Sequence, residues 1–273
     1  MFRKKTWFFI LCSTIVLAGS SLLYAWQAGW FDSAVHNVSV GTQQTTESAS
    51  GTLDEAIGLA RAAQAKLLEM PGYRCVYLRD ERIDNELLQN SLLLTVLHEP
   101  FSVLMEWVEP STKKGRKVAY ITGKNNGKMR VKVGFATLSF DLNQSITMKE
   151  SRHTINEAGL KNLMNRFVSS WEQEKLDGET ATRYSDAVVE ATVSGKHYSY
   201  SCRCIETDHP VTTRGKYVFH RTRIYFDKQT GLPVRMEGYD WPSGNETEGR
   251  LLERYSYFDV KTDPIPQLKQ IEM

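Results

Sequence analysis

The chain has no excess of charge of either sign. Its 273 residues carry 34 Lys and Arg against 32 Asp and Glu, a formal net charge of +2. So small a surplus excludes the strongly basic footprint of a nucleic-acid binder. Catalytic signatures are missing too. No Gly-x-Ser-x-Gly elbow occurs, and His98-Glu99 runs into Pro100 instead of continuing as His-Glu-x-x-His. In the loop from Gly123 to Lys128 the glycines stand too close for a P-loop, and Met129 replaces its hydroxyl residue. With no cofactor motif and no catalytic residue in view, the expectation is a protein that binds and does not catalyse. An unspecified hydrolase-like enzyme is the alternative.

Charge is also absent from Thr6 to Phe31, directly after the basic leader Arg3, Lys4 and Lys5. The apolar stretch within it approaches the ~20 residues that cross a bilayer as a helix. Residues 1–31 therefore read as a signal peptide or a membrane anchor. The positive-inside bias places the rest outside the cytoplasm, periplasmic or extracytoplasmic. Leu23 and Ala25 offer a small-residue cleavage site, so release after cleavage and retention by an N-terminal helix both stay open.

Cysteine is scarce. Cys12 lies in the apolar leader, leaving Cys75, Cys202 and Cys204 in a compartment where disulfides persist. Cys202 and Cys204 share one face of a strand, near the upper Cα separation of about 6.8 Å for a bridge. A bond from Cys75 to one of them is the expectation. A metal site built from Cys202, Cys204 and His209 matches no common zinc spacing.

Residues 32–51 are polar, rich in Thr, Ser, Gln and Gly, and read as a flexible tether. Residues 52–262 are long enough for a single β-rich domain, with 263–273 as a tail. Thr52 and Glu55 have capping-box spacing ahead of an amphipathic run that Pro71-Gly72 stops. Thr154 and Glu157 repeat that spacing ahead of Leu160, Leu163, Met164, Phe167, Val168 and Trp171, the strongest helical stripe in the chain, which predicts a helix over about 156–174. His153 stands just before this start, where the helix dipole disfavours its protonation, and with no partner visible it reads as structural.

Elsewhere apolar and polar residues alternate between turn signals, predicting about eleven strands at 73–83, 87–98, 102–109, 117–123, 128–134, 138–148, 187–194, 196–207, 215–227, 232–239 and 250–260. Short connections favour antiparallel neighbours, and so long a sheet curls. The fold class is α+β: a curved, mostly antiparallel half-open barrel with two amphipathic helices covering one face. Lys113, Lys114, Arg116 and Lys117 surround Gly115 between two strands. They read as a solvated hairpin tip, with an anionic-lipid contact as the alternative.

Several segments carry a family resemblance. They are Glu99-Pro100-Phe101-Ser102-Val103 with Trp107-Val108-Glu109-Pro110, Arg152-His153-Thr154-Ile155-Asn156-Glu157-Ala158-Gly159-Leu160, Arg223-Ile224-Tyr225-Phe226-Asp227, Leu232-Pro233-Val234-Arg235 and Tyr239-Asp240-Trp241-Pro242. Together with the Gly123–Gly127 hairpin they resemble an uncharacterised bacterial family, domain of unknown function 1571. The order of strands and helices is also similar to the LolA-type lipoprotein-carrier superfold. That resemblance implies an apolar cavity beneath helices, but function follows only weakly from fold.

Three functions remain: shelter for a lipid or lipidated partner in that cavity, a protein-interaction module whose cavity is filled by its own side chains, or an enzyme. The expected cavity walls are Val103, Met105 and Trp107 on one strand face, Tyr217, Phe219 and Tyr225 on another, and Leu163, Phe167 and Trp171 on the covering helix.

Overall fold

The computed structural model describes residues 38–243 and 249–273. The basic leader and apolar segment lie outside the described residues. Among those described, no helix is long and apolar enough to cross a membrane.

Among the described residues thirteen strands form one sheet: β1 (Val38–Gln44), β2 (Ala49–Gly51), β3 (Gly72–Ile83), β4 (Glu86–His98), β5 (Phe101–Glu109), β6 (Lys117–Ile121), β7 (Met129–Val133), β8 (Ala136–Phe140), β9 (Ala181–Val193), β10 (Lys196–Asp208), β11 (Arg221–Asp227), β12 (Pro233–Tyr239) and β13 (Leu251–Lys261). Their order is β1-β9-β10-β11-β12-β13-β3-β4-β5-β6-β7-β8, with β2 also pairing β9, and the ladders are antiparallel. The path ends at β1 and β8, so the sheet stays open. Register shifts at Tyr225/Phe226, Gly238/Tyr239 and Phe258/Lys261 bend the strands, as bulges do.

One face is covered by α1 (Leu53–Leu68) and α3 (Leu160–Asp177), with the short α2 (Ser145–Met148) between β8 and α3. The Thr52 hydroxyl caps α1 by accepting from the Glu55 amide at 3.4 Å. The Thr154 and Glu157 capping box also forms, but on a single 3-10 turn, Ile155–Glu157. Gly159 then takes φ 96°, and α3 starts only at Leu160, whose amide donates to the Tyr73 hydroxyl at 2.8 Å. Positive φ suits glycine and resets the chain direction, so the helix opens later than the periodicity predicts.

The polar stretch 38–51 is not a tether: it forms β1 and β2 against β9. An edge strand is held by its backbone ladder and needs few apolar side chains; here Val38 and Val40 pack onto the cluster behind the sheet. The buried Arg235 of β12 donates to the Gly41 carbonyl at 2.9 Å, the Glu190 carbonyl at 3.2 Å and Ser256 Oγ at 2.9 Å. These bonds join β12 to β1 and β9, so that edge of the sheet rolls back across the face opposite the helices. The C-terminal stretch is docked too. In α4 (Leu268–Ile271), Ile271 is buried with Leu97, Leu104, Ala119 and Ile121.

The cysteines separate by face. Cys75 packs in the cluster beneath the helices, Cys202 and Cys204 in the cluster behind the sheet, and all three thiols are free. The expected disulfide fails because the sheet lies between its partners. Cys202 and Cys204 are also apart from His209, which bonds the Phe219 carbonyl at 2.9 Å and approaches Glu174 at 3.2 Å.

Candidate functional site

The concave face divides into two halves. Under α1 and α3 it is solid. Leu160, Leu163, Met164, Phe167, Val168 and Trp171 of α3 are all buried, with Phe167 edge-on to Trp171 at 5.0 Å. The helices brace one another through Gln64 to Asn165 at 2.8 Å and Arg61 to Glu172 at 2.5 Å.

Beyond them, over β5 to β7, the cover is a strap of irregular chain, residues 141–158, carrying α2 and the 3-10 turn. A cleft runs beneath it. Met105 and Trp107 of β5, Val118 of β6, Met129 and Val131 of β7 and Phe140 of β8, the cross-strand partner of Met129, form its floor, and Leu142 and Met148 of the strap its roof. Tyr77, Tyr255 and Tyr257 mark the boundary with the helix-covered half, Tyr77 stacking on Tyr257 at 4.9 Å. The free volume is about 80 Å³, against roughly 300–1,000 Å³ for typical small-molecule pockets. Larger hollows of about 450 Å³ and 370 Å³ lie by α4 and on the outer side of β3 to β5, but neither sets buried charge against a long apolar wall.

Two charged clusters hold the strap down. In the first, Glu150 accepts from Arg116 Nη1 at 2.8 Å and faces Lys113 Nζ at 3.4 Å, while Arg79 reaches the Glu150 carbonyl at 3.3 Å and Ser151 Oγ at 3.4 Å. Lys113 is only 8% exposed, so the hairpin reading splits: Lys113 and Arg116 turn inward, while Lys114 stays in solvent. The guanidinium carbons of Arg116 and Arg79 lie 4.9 and 5.6 Å from the Trp107 ring centre, within cation–π range. Burial pushes the Glu150 carboxyl up, but Arg116 and Lys113 more than offset this and hold it below the usual carboxylate range. Burial pulls the Lys113 ammonium down despite Glu150.

In the second cluster, His153 Nε2 lies 2.9 Å from Glu253 Oε2 of β13 and Nδ1 3.2 Å from Glu157 Oε2; Arg152 Nε donates to Glu253 at 3.1 Å, and Arg166 of α3 sits 3.1 Å from Nδ1. Burial disfavours the imidazolium, yet the hydrogen bond and charge of Glu253 outweigh it and raise the His153 pKa. The helix-dipole expectation was opposite in sign. It fails because α3 starts seven residues further on and two carboxylates face the ring. The Ser151 hydroxyl bonds the His153 carbonyl at 2.9 Å and Glu81 at 3.4 Å.

Of the expected cavity residues, Met105 and Trp107 line the cleft. Val103, Leu163, Phe167 and Trp171 belong to the packed core beside it. Tyr217 and Phe219 precede β11 and lie in a loop, Tyr217 stacked on His209 at 3.9 Å with its hydroxyl on Asp177 at 2.7 Å. Tyr225 faces the cluster behind the sheet. Sequence reasoning missed Arg79, Glu81 and Glu150. The run Arg79-Asp80-Glu81-Arg82 in a central strand was a usable signal, since consecutive strand residues alternate faces and both faces here are covered.

The molecule is thus an open, curved antiparallel sheet with helices over half of its concave face and a charge-fastened strap over the rest. The chain belongs to the family described as protein of unknown function DUF1571, whose profile matches residues 70–271. A comparison with curated proteins finds no match. Solved structures that it is similar to include the lipoprotein LppX of Mycobacterium tuberculosis, 11% identical, covering 78% of this chain and 98% of that one, with TM-score 0.44. A DUF1329 family protein of Desulfovibrio piger is 12% identical over 81% and 97%, with TM-score 0.40. A LolA superfamily protein of Nitrosomonas europaea is 9% identical over 82% and 98%, with TM-score 0.33. Likeness this distant says nothing of ligand or partner.

Proposed function

We propose that this protein is an exported, non-enzymatic binding protein that shelters an apolar chain, of a lipid or a lipidated protein, between the strap and the sheet. The observation that carries this reading is the asymmetry of the concave face. One half is sealed by helices; the other offers a continuous wall of Met105, Trp107, Val118, Met129 and Val131 beneath a strap that charged side chains fasten alongside the buried Ile155. Methionine-rich walls adapt to varied apolar shapes. At about 80 Å³ the cleft takes the end of a chain and no more, so full loading requires the strap to lift, a hinged opening of ordinary kind. The apolar leader supports an extracytoplasmic location, anchored or released.

The test is extraction of the purified full chain and mass spectrometry of what it releases, followed by titration with 1-dodecanol. Co-purified lipid, and saturable dodecanol binding that Met105→Trp abolishes by filling the cleft, are the expected results. Empty extracts together with no saturable binding contradict the reading and favour a packed interaction module.

A further inference from the structure

We propose that the cleft selects amphiphiles bearing an oxyanion, and that the ligand's carboxylate or phosphate takes the place now held by Glu150 among Arg79, Lys113 and Arg116. The inference rests on the reading of the cleft as a ligand site and adds to it the chemistry of the head group.

Two cations of the β5–β6 connection, Lys113 and Arg116, converge on one carboxylate that belongs to the strap, and a third, Arg79 on β3, reaches the main-chain carbonyl of the same residue. A hairpin tip needs none of this. Cationic side chains in such a turn ordinarily stay in water, and turning Lys113 and Arg116 inward costs desolvation that an anion in the right place must offset. Arg79 is only 6% exposed, and its Nε has no hydrogen-bond acceptor. Its two terminal nitrogens reach the strap only through bonds of 3.3 and 3.4 Å. Arg79 thus keeps unspent hydrogen-bonding capacity beside its ion pair with Glu81, and Arg offers five donors in a rigid fork that suits carboxylate and phosphate. Glu81, whose Oε2 lies 3.6 Å from Arg79 Nε and whose Oε1 accepts from the Tyr255 hydroxyl at 2.5 Å, already supplies Arg79 with one counter-charge, so Lys113 and Arg116 are the principal head-group contacts. The apolar wall begins next to the cations: Trp107 lies under Arg79 and Arg116, with Met105 and Val118 beyond. A head group at Glu150's position therefore points its chain along the cleft. Because Glu150 is part of the strap, its displacement also unfastens the cover, so loading and opening are one event.

The test uses the full chain with dodecanoate, 1-dodecanol and inorganic phosphate, each below any micellar concentration, followed by calorimetry and tryptophan fluorescence. Dodecanoate should bind at least about tenfold tighter than dodecanol, the scale of one net charge-assisted contact, and phosphate alone much more weakly than dodecanoate. Glu150→Gln removes the internal competitor and should widen the dodecanoate-to-dodecanol ratio. The double variant Lys113→Gln/Arg116→Gln should bring the ratio close to one, whatever change strap loosening makes to both affinities alike, and it carries the test if Glu150→Gln fails to fold. Equal wild-type affinities, or a Glu150→Gln gain of the same size for both ligands, would overturn the head-group inference while leaving the cleft reading intact. Phosphate binding as tight as dodecanoate would overturn it in favour of a plain anion site. Binding of neither alkyl ligand would sink the cleft reading itself.

Discussion

The two halves of the concave face are built from the same sheet and differ in what lies over them. Beneath α1 and α3, shape complementarity among large apolar side chains does the covering, and Trp171, Leu160 and Met164 are almost completely shut off from water. Beneath residues 141–158 the cover is short of regular structure, buries Ile155, and is fastened by Glu150 to the β5–β6 connection and by His153 to β13. Apolar packing is non-directional and falls away only when the whole surface is exposed, whereas a few charged contacts can be exchanged singly for contacts of equal chemistry. A sheet that needs one permanent side and one exchangeable side would be expected to differ in this way.

The comparison can be broken by substitution. Phe167→Ala, in the helix-covered half, should cost about 3–5 kcal/mol in denaturant unfolding whether or not a ligand is present; a loss under about 1 kcal/mol, or one restored by ligand, would make α3 a lid too. Glu150→Gln should cost less, about 1–3 kcal/mol, because the amide keeps a hydrogen bond while the buried Lys113 and Arg116 lose their counter-charge. Its signature should be faster amide exchange across the strap, with little change in α3.

Smaller again is the pH effect. His153 has its pKa raised in the fold, so its proton stabilises the docked strap fully below the unfolded value of about 6.5 and the contribution fades as pH climbs through the higher folded value. Glu253 and Glu157 have theirs lowered, Glu253 by His153 against its burial and Glu157 by Thr154 and His153 against its own. Their contribution is present above about pH 4.3 and fades as pH falls through the lower folded values. The strap should therefore be held best between about pH 4.3 and 6.5, and His153→Gln should flatten the upper limb of that profile. Least of all, Lys114→Ala, on the outward side of the basic turn, should change stability by under about 0.5 kcal/mol and leave strap exchange unaltered.

Much of the architecture was legible in the sequence because alternation and helical periodicity are written in apolar side chains. The stripe from Leu160 to Trp171 and the strands at 73–83 and 87–98 follow directly. What stayed hidden depends on backbone pairing or on distant partners. Val38–Gln44 looks like a linker because an edge strand draws its stability from the β9 ladder. Asn156 to Gly159 looks helical until the positive φ of Gly159 intervenes. The site was half visible for the same reason. Met105 and Trp107 could be placed by alternation, but Glu150 gains meaning only when the strap brings it to Arg116 and Lys113, 34 and 37 positions away. Tyr225 was assigned to the wrong face because alternation names two faces without saying which one the helices cover.

The claim that one half of this face is core and the other a fastened, ligand-responsive cover is tested most directly by hydrogen exchange of the full chain with and without dodecanoate. The account predicts that amides of residues 141–158 exchange far faster than those of Leu160–Asp177 in the free protein and slow markedly on binding, while α3 stays unchanged. A strap as protected as α3 and indifferent to dodecanoate would contradict it.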